Sequence, residues 1–210
     1  MQESRLLLRL IEQPECEWVE FKESWFEPHS VGRYVSALAN GARLANRPAG
    51  YLVWGISNAR EVVGTTFDPF TQRVGNQPFE LWLKSQITPA GHGIRFISFE
   101  HYGLQVVILE IGTAEGVPTR FDGAPSIRVG EATPRLDAHP DREKRLLEAL
   151  VQTSFEGTWA REDVTGDEVF ELLDVDHALS LLTQRPEATS TDERLDQLEN
   201  FRLIQQASPT

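Results

Sequence analysis

One cysteine, Cys16, is all that the 210-residue chain contains, which excludes an internal disulfide and any multi-cysteine zinc site. The five histidines (His29, His92, His101, His139, His177) stand far apart, without the spacing of a histidine metal site. No Gly-x-x-x-x-Gly-Lys-Ser/Thr loop occurs, and no Gly-x-Gly-x-x-Gly follows a strand pattern, so no nucleotide cofactor is expected. No apolar run approaches the ~18 residues of a membrane span. The longest, Leu104–Ile111, is strand-sized and interrupted by Gln105 and Glu110. The leucine cluster Leu6–Leu8 is broken up by Arg5, Arg9 and Glu12, and no small-residue cleavage site follows. Neither a leader peptide nor a membrane partner is expected, and the expected location is cytoplasmic.

Basic charge is also scarce. With 20 Lys and Arg against 32 Asp and Glu, the chain carries a net −12, which on its face argues against a nucleic-acid partner. The distribution of that charge points the other way. Residues 1–50 hold 6 basic and 7 acidic side chains, residues 51–140 hold 7 and 9, and residues 141–210 hold 7 and 16. Most of the excess therefore lies in the last third, and a basic face on the first 140 residues remains open.

What is present is an ordinary folded composition, 40% hydrophobic and 25% charged, which excludes a chain disordered or coiled-coil throughout. Leu6, Leu7, Leu10 and Ile11 predict an amphipathic helix over 3–12, ended by Pro14. The alternation in Trp18–Glu23 predicts a strand. Ser30 is the expected N-cap of a helix to about Leu44, followed by the strand Tyr51–Ile56 paired with Val62–Val63. Asn76 and Pro78 predict the start of a helix to about Ile87 with Phe79, Leu81, Trp82 and Leu83 on its core face. Strands follow at Ile94–His101, Leu104–Ile111, Thr119–Phe121 and Ser126–Val129, with turns at Tyr102-Gly103 and Asp122-Gly123. Beyond Asp137 come a helix over Arg142–Gln152 and three short acidic helical patterns within Val164–Asp196. The expected class is mixed α/β (α+β), a mixed sheet with flanking helices in residues 1–137 and a small acidic helical extension in 138–210.

The most distinctive segment is Glu15-Cys-Glu-Trp-Val-Glu20-Phe-Lys22. In a strand, Trp18, Glu20 and Lys22 share one face and Val19 and Phe21 the other, and only a bend brings Glu15 beside Glu20. Two readings stand side by side. One is a solvated sheet face with an opposite-charge pair. The other is a carboxylate pair holding a divalent cation such as Mg²⁺ or Mn²⁺, with Lys22 meeting a phosphate, and this chemistry wants a further acidic ligand. Cys16, between two acids, is a poor thiolate. Phe70, Phe79, Trp82 and Trp159 are expected in packing rather than as base-stacking platforms.

Five motifs then follow in order. They are Glu15 with Glu20-Phe-Lys22; Ser36-Ala-Leu-Ala-Asn40; Gly50; Tyr51-Leu-Val-Trp-Gly55-Ile closing with Val62-Val-Gly64; and Ser126-Ile-Arg-Val-Gly130-Glu-Ala-Thr133. Over about residues 5–135 this order resembles the Schlafen/AlbA-type DNA-binding domain family. The resemblance implies a nucleic-acid-associated domain, acting on DNA or RNA in regulation or in defence against foreign nucleic acid. In the vertebrate members three carboxylates support cleavage of transfer RNA. Two of them would fall on Glu15 and Glu20, with Lys22 beside them as a further catalytic and phosphate-contacting group. The third falls on the pair Ser57-Asn58, where Asn58 can lend a carbonyl oxygen to a cation but no charge and no base. The segment Gly41–Ala49 departs from the family's compact turn, and its Arg43 and Arg47 offer either a phosphate-contacting surface or a solvated loop.

Three functions follow as expectations. The first is nucleic-acid binding, the second a metal-dependent endonuclease on transfer RNA or DNA, and the third a protein-interaction or assembly module whose acidic tail meets a basic partner. Asn58 favours binding over cleavage. Vertebrate Schlafens carry two related lobes, whereas this chain has one copy of each motif, so a homodimer is expected to complete the clasp.

Overall fold

The computed structural model describes residues 2–156, 164–182, 190–200 and 204. Two compact units divide the chain, Met1–Gly157 and Thr158–Thr210. The first holds α1 (Gln2–Ile11), β1 (Val19–Lys22), α2 (Pro28–Leu44), β2 (Ala49–Trp54), β3 (Arg73–Val74), β4 (Gln77–Pro78), α3 (Phe79–Gln86), β5 (Ile87–Thr88), β6 (Ile94–His101), β7 (Leu104–Gly112), β8 (Arg120–Phe121), β9 (Ala124–Pro125), a 3-10 turn Leu136–Ala138 and α4 (Pro140–Glu156). The second holds α5 (Gly166–Leu172), α6 (Val175–Leu182) and α7 (Thr191–Asn200). The division falls after α4 rather than after Asp137, because Leu146 and Leu150 of α4 are buried with Ala114, Ile127 and Leu136. The second unit has its own small core of Val169, Val175, Leu179 and Leu198. No helix among the described residues is long and apolar enough to cross a membrane.

The main sheet has the order β1-β2-β7-β6. β1 runs parallel to β2, and the other two pairings are antiparallel. A parallel neighbour needs a crossover, and α2 supplies it. The two faces of the sheet bury different sets. Leu52, Trp54, Val107 and Leu109 pack under Val31, Val35 and Leu38 of α2 and Phe79 and Leu83 of α3. Val19, Phe21, Val53, Val106 and Ile108 pack against Leu7 and Leu10 of α1. The structure is thus the expected mixed α/β class, a four-stranded main sheet between helices with two small sheets, β3-β4 and β5-β8-β9, beside it.

Local differences from the sequence reading have identifiable causes. Helix α2 starts at Pro28, capped by Glu27, whose carboxylate accepts from His29 N (3.0 Å) and Ser30 N (2.6 Å). Proline is favoured at the first helical position, so Glu27-Pro28 takes the role assigned to Ser30. Asn76 lies in the turn between β3 and β4 and caps nothing; α3 follows Pro78 directly. Phe79 and Leu83 bury on α3, whereas Leu81 is 58% exposed because it falls off their one-turn stripe. Ser126–Val129 forms bridges to Arg135 and Ala132 instead of a regular strand. Phe70 is exposed rather than packed, and Trp159 lies outside the described residues. Both expected turns form, with Tyr102-Gly103 and Asp122-Gly123 at positive φ, the geometry of a two-residue hairpin.

Candidate functional site

The segment before β1 folds back on itself. Cys16 N donates to Val19 O at 3.0 Å, and the Glu15 carboxylate accepts from Phe21 N at 2.9 Å. β1 is an edge strand, so Phe21 has no strand neighbour to receive its N–H on that side, and Glu15 takes the place of one. This is the bend that brings Glu15 to Glu20's strand. Gly41 of α2 makes it possible, because a Cβ there would stand 1.8 Å from the Glu17 carbonyl. Trp18 precedes the strand and packs on the α1 side with Tyr51, so it does not share Glu20's face. On the partner strand, Gly55 adopts φ +97° as the chain leaves β2, a conformation open to glycine. Its N–H donates to Lys22 O at 2.8 Å, which places Ser57 and Asn58 beside the end of β1.

Glu20 is only 2% exposed. One carboxylate oxygen accepts from Lys22 Nζ at 2.5 Å, and the other pairs with Nη1 of Arg128, also 2% exposed. Lys22 further stands over the Tyr34 ring at 5.3 Å, with the Arg128 guanidinium 5.7 Å from the same ring. Burial pulls the Lys22 ammonium down, but the hydrogen bond and charge of Glu20 outweigh it, and the group ends above its ordinary value. Burial, then the negative field of Glu20, raises the Tyr34 phenol. A buried pair is held by mutual attraction against desolvation, and here the ion contact lacks hydrogen-bond angles. Arg128 Nε and Nη1 and one Glu20 oxygen have no aligned hydrogen-bond partner.

Glu15, Glu20, Lys22 and Arg128 line one cleft of about 760 Å³. Its walls are the 14–17 turn, β1, the 57–60 turn, the 128–131 turn and Arg142 of α4. Arg142 pairs with Glu17, and Arg60 reaches the Ile11 and Glu12 carbonyls at 3.5 and 3.4 Å. Four carboxylates (Glu15, Glu17, Glu20, Glu131) and four cations (Lys22, Arg60, Arg128, Arg142) share the walls, so the cleft is balanced on a chain of net −12.

Of the residues singled out from sequence, Glu15, Glu20, Lys22 and Asn58 come together here. Arg43 and Arg47 do not line the cleft. Arg43 belongs to the last turn of α2, not to a loop, and its Nε donates to the Ala114 carbonyl at 2.6 Å. Arg47 is exposed, its guanidinium 4.9 Å from the Trp18 ring. Sequence reasoning assigns no role to Arg60, Glu131, Arg142 or Arg128. For Arg128 a signal exists: a charge between Ile127 and Val129 in a buried run demands an internal counter-charge.

As arranged, the donors do not fit a divalent cation. Lys22 and Arg128 already balance Glu20, Glu15 gives an oxygen to a backbone N–H, and position 58 is neutral. Among the described residues no group of three or more His, Cys, Asp or Glu side chains is disposed to hold a metal.

The Ser36 to Asn40 motif proves to be architectural. Asn40 Nδ2 donates to the Thr119 and Ser126 carbonyls (both 2.9 Å) while its Oδ1 accepts from Thr119 N (2.9 Å). Ser36 Oγ donates to Thr119 O (2.7 Å) and accepts from Ser126 N (2.9 Å). Together they clamp Ser126 to α2 and so fix where Arg128, two residues on, enters the cleft.

No curated protein matches the chain. Among solved structures, the DIP2311 protein of Corynebacterium diphtheriae is similar at 17% identity and TM-score 0.41, over 64% of this chain and 27% of that one. The N-terminal domain of an ATP-dependent DNA helicase RecG-related protein from Nitrosomonas europaea is similar at 21% identity and TM-score 0.37, over 61% of this chain and 88% of that domain. The match thus spans about a quarter of the Corynebacterium protein. The profile of the Schlafen, AlbA_2 family matches residues 15–137, from Glu15 of the cleft to the 3-10 turn, and the chain belongs to that family.

Proposed function

We propose that the first unit is a nucleic-acid-binding domain that holds a sugar–phosphate backbone in the Glu20 cleft, and that it binds rather than cleaves. The observation that carries this reading is the convergence of Lys22, Arg60, Arg128 and Arg142 on one cleft of an otherwise acidic chain. Phosphate contacts position nucleic acid without reading its sequence, which suits a cleft of charged side chains with no base-stacking aromatic other than Phe21 in its lining. Membership of the Schlafen, AlbA_2 family supports it. Cleavage would need an acid where Asn58 stands and a cation that the donor arrangement does not fit. The test is to incubate the full chain with transfer RNA, single-stranded DNA and duplex DNA, with Mn²⁺ or with chelator, and follow retention and cleavage together. Retention that falls steeply with salt, with intact nucleic acid recovered, is the expected result. Fragments appearing only with Mn²⁺ would replace it with the endonuclease reading.

A single lobe offers half a clasp, and we infer that two copies pair to complete it. Strand β6 supports this, since it is eight residues long and has a strand neighbour on one side only among the described residues. Light scattering of dilute protein at moderate salt decides it, and a mass near 23.7 kDa at all concentrations would overturn the pairing.

A further inference from the structure

We infer that Arg128 is the specificity-determining group of an anion subsite that seats one phosphate at the floor of the cleft, doing with a guanidinium what a divalent cation would do. This inference rests on the nucleic-acid reading for its substrate class and assigns the subsite within it. Three observations carry it. First, Arg128 is buried yet lines an open cleft, and its Nε has no acceptor. A buried guanidinium donor without a protein partner is costly, and one that faces a cleft is completed by water, an ion or a ligand entering there. Second, the Glu20 contact engages Nη1 and leaves Nε without an aligned acceptor, so the planar fork is held in place without being saturated. Phosphate oxygens match that fork in a bidentate manner, which a lysine cannot reproduce. Third, the position is over-determined. Ser126 is clamped by Asn40 and Ser36, and Tyr34 lies against the guanidinium. A group fixed this firmly costs little further ordering when a ligand arrives.

Glu20 is then a positioning residue. Its carboxylate holds Arg128 and Lys22 at the cleft and is also the anion that a phosphate competes with. This inverts its role in a cation-centred site, and the inversion supplies an experiment with opposite signs. Inorganic phosphate is titrated into the full chain in the presence of chelator and followed by ³¹P line broadening, in parallel with retention of a labelled single-stranded DNA.

Arg128→Lys keeps the charge and loses the fork. It should abolish the phosphate broadening and weaken DNA retention about tenfold or more, with circular dichroism unchanged. Glu20→Gln removes the competing anion and should tighten phosphate binding at least threefold, whereas a metal site would bind no phosphate in chelator with either chain. The Glu20→Gln arm decides alone if the Arg128→Lys chain does not fold. Phosphate broadening by the parent chain that Arg128→Lys leaves intact overturns the inference, as does broadening that appears only when diamagnetic Mg²⁺ replaces the chelator. If the parent chain retains no nucleic acid but still broadens phosphate through Arg128, the subsite stands and the nucleic-acid reading falls. If DNA is retained and phosphate is not broadened, the reverse holds.

Discussion

Two buried polar clusters sit within a few residues of each other, and they are satisfied in opposite ways. In the first, Ser36 and Asn40 use every polar atom of their side chains on the backbone of Thr119 and Ser126. In the second, Lys22 and Arg128 share the single negative charge of Glu20 and leave donors and an acceptor without aligned partners. Neutral hydrogen bonds that are all made fix one conformation, and nothing further can enter. An ionic cluster with one cation in excess and unused donors can still exchange one partner for another. The first cluster therefore builds the scaffold, and the second is where the scaffold meets a ligand. Both families of contacts descend from motifs that look alike in the sequence, short polar interruptions of apolar runs.

Breaking the saturated cluster should cost the most. Asn40→Ala strands the Ser126 carbonyl and the Thr119 N–H in the interior, at roughly 1–3 kcal/mol for each group left unpaired. A total loss of about 3–5 kcal/mol is expected, measured by urea unfolding through tryptophan emission; four of the five tryptophans (Trp18, Trp25, Trp54, Trp82) lie in the first unit. Phosphate should not restore any of it. A loss under about 1 kcal/mol would mean that the network is ornamental and the contrast between the clusters is void.

The ionic cluster should show a smaller and more repairable loss. Arg128→Met leaves Glu20 with Lys22 alone, at about 2–4 kcal/mol, toward the lower part of the range for broken buried pairs because one cation remains. Adding Glu20→Gln to Arg128→Met should recover a good part of that loss, and a double-mutant cycle reads the coupling. Strict additivity of the two substitutions would show that Glu20 and Arg128 do not hold each other.

Helix α2 carries Tyr34, Ser36 and Asn40, so loosening its start tests both clusters at once. Glu27→Ala should cost about 1 kcal/mol, the usual worth of an N-cap. The hydrogen bond from Ser30 leads the contacts that hold the Glu27 carboxyl below its ordinary 4.5. A depressed acid stabilises the fold above its unfolded value and loses that contribution as pH falls through the folded one. The difference between parent and Glu27→Ala should therefore be full near neutrality and shrink below about pH 4.5. A difference that stays constant down to about pH 3 would assign the cost to helix propensity instead of the cap.

The sheet and its covering helices are legible from the sequence because periodicity reports burial directly: β1, β2, β6, β7, α1 and α2 all fall within a few residues of the pattern. The spacing of Glu15 and Glu20 is legible too, but not what each does. That Glu15 serves a backbone N–H depends on β1 being an edge, and edge status is set by the whole sheet. Arg128 and Glu20 lie at opposite ends of the first unit's sequence, so no local pattern pairs them. The surroundings of Arg43 and Arg47 are hidden from the sequence for a related reason. Their spacing on a chain segment says nothing about the Ala114 carbonyl or the Trp18 ring that occupies each.

The smallest effect should come from Lys22, and it decides which cation compensates Glu20. The ammonium is about one quarter exposed, whereas Arg128 is 2% exposed. If the guanidinium is the principal counter-charge, Lys22→Met should cost less than about 1 kcal/mol, as partly exposed ion pairs do. The sign of its pH dependence follows from the raised Lys22 value. A raised cation contributes fully below its ordinary 10.5 and loses that contribution as pH rises through the folded value. Tyr34 is raised as well and falls away in the same alkaline window, so the comparison belongs in a Tyr34→Phe background. There, the gap between the Lys22-bearing chain and its Lys22→Met derivative should be flat from about pH 7 to 10 and close above that. A Lys22→Met loss equal to that of Arg128→Met would make the two cations equivalent. Glu20 would then belong to an evenly shared triad, and Arg128 would lose its claim to be the group the cleft is built around.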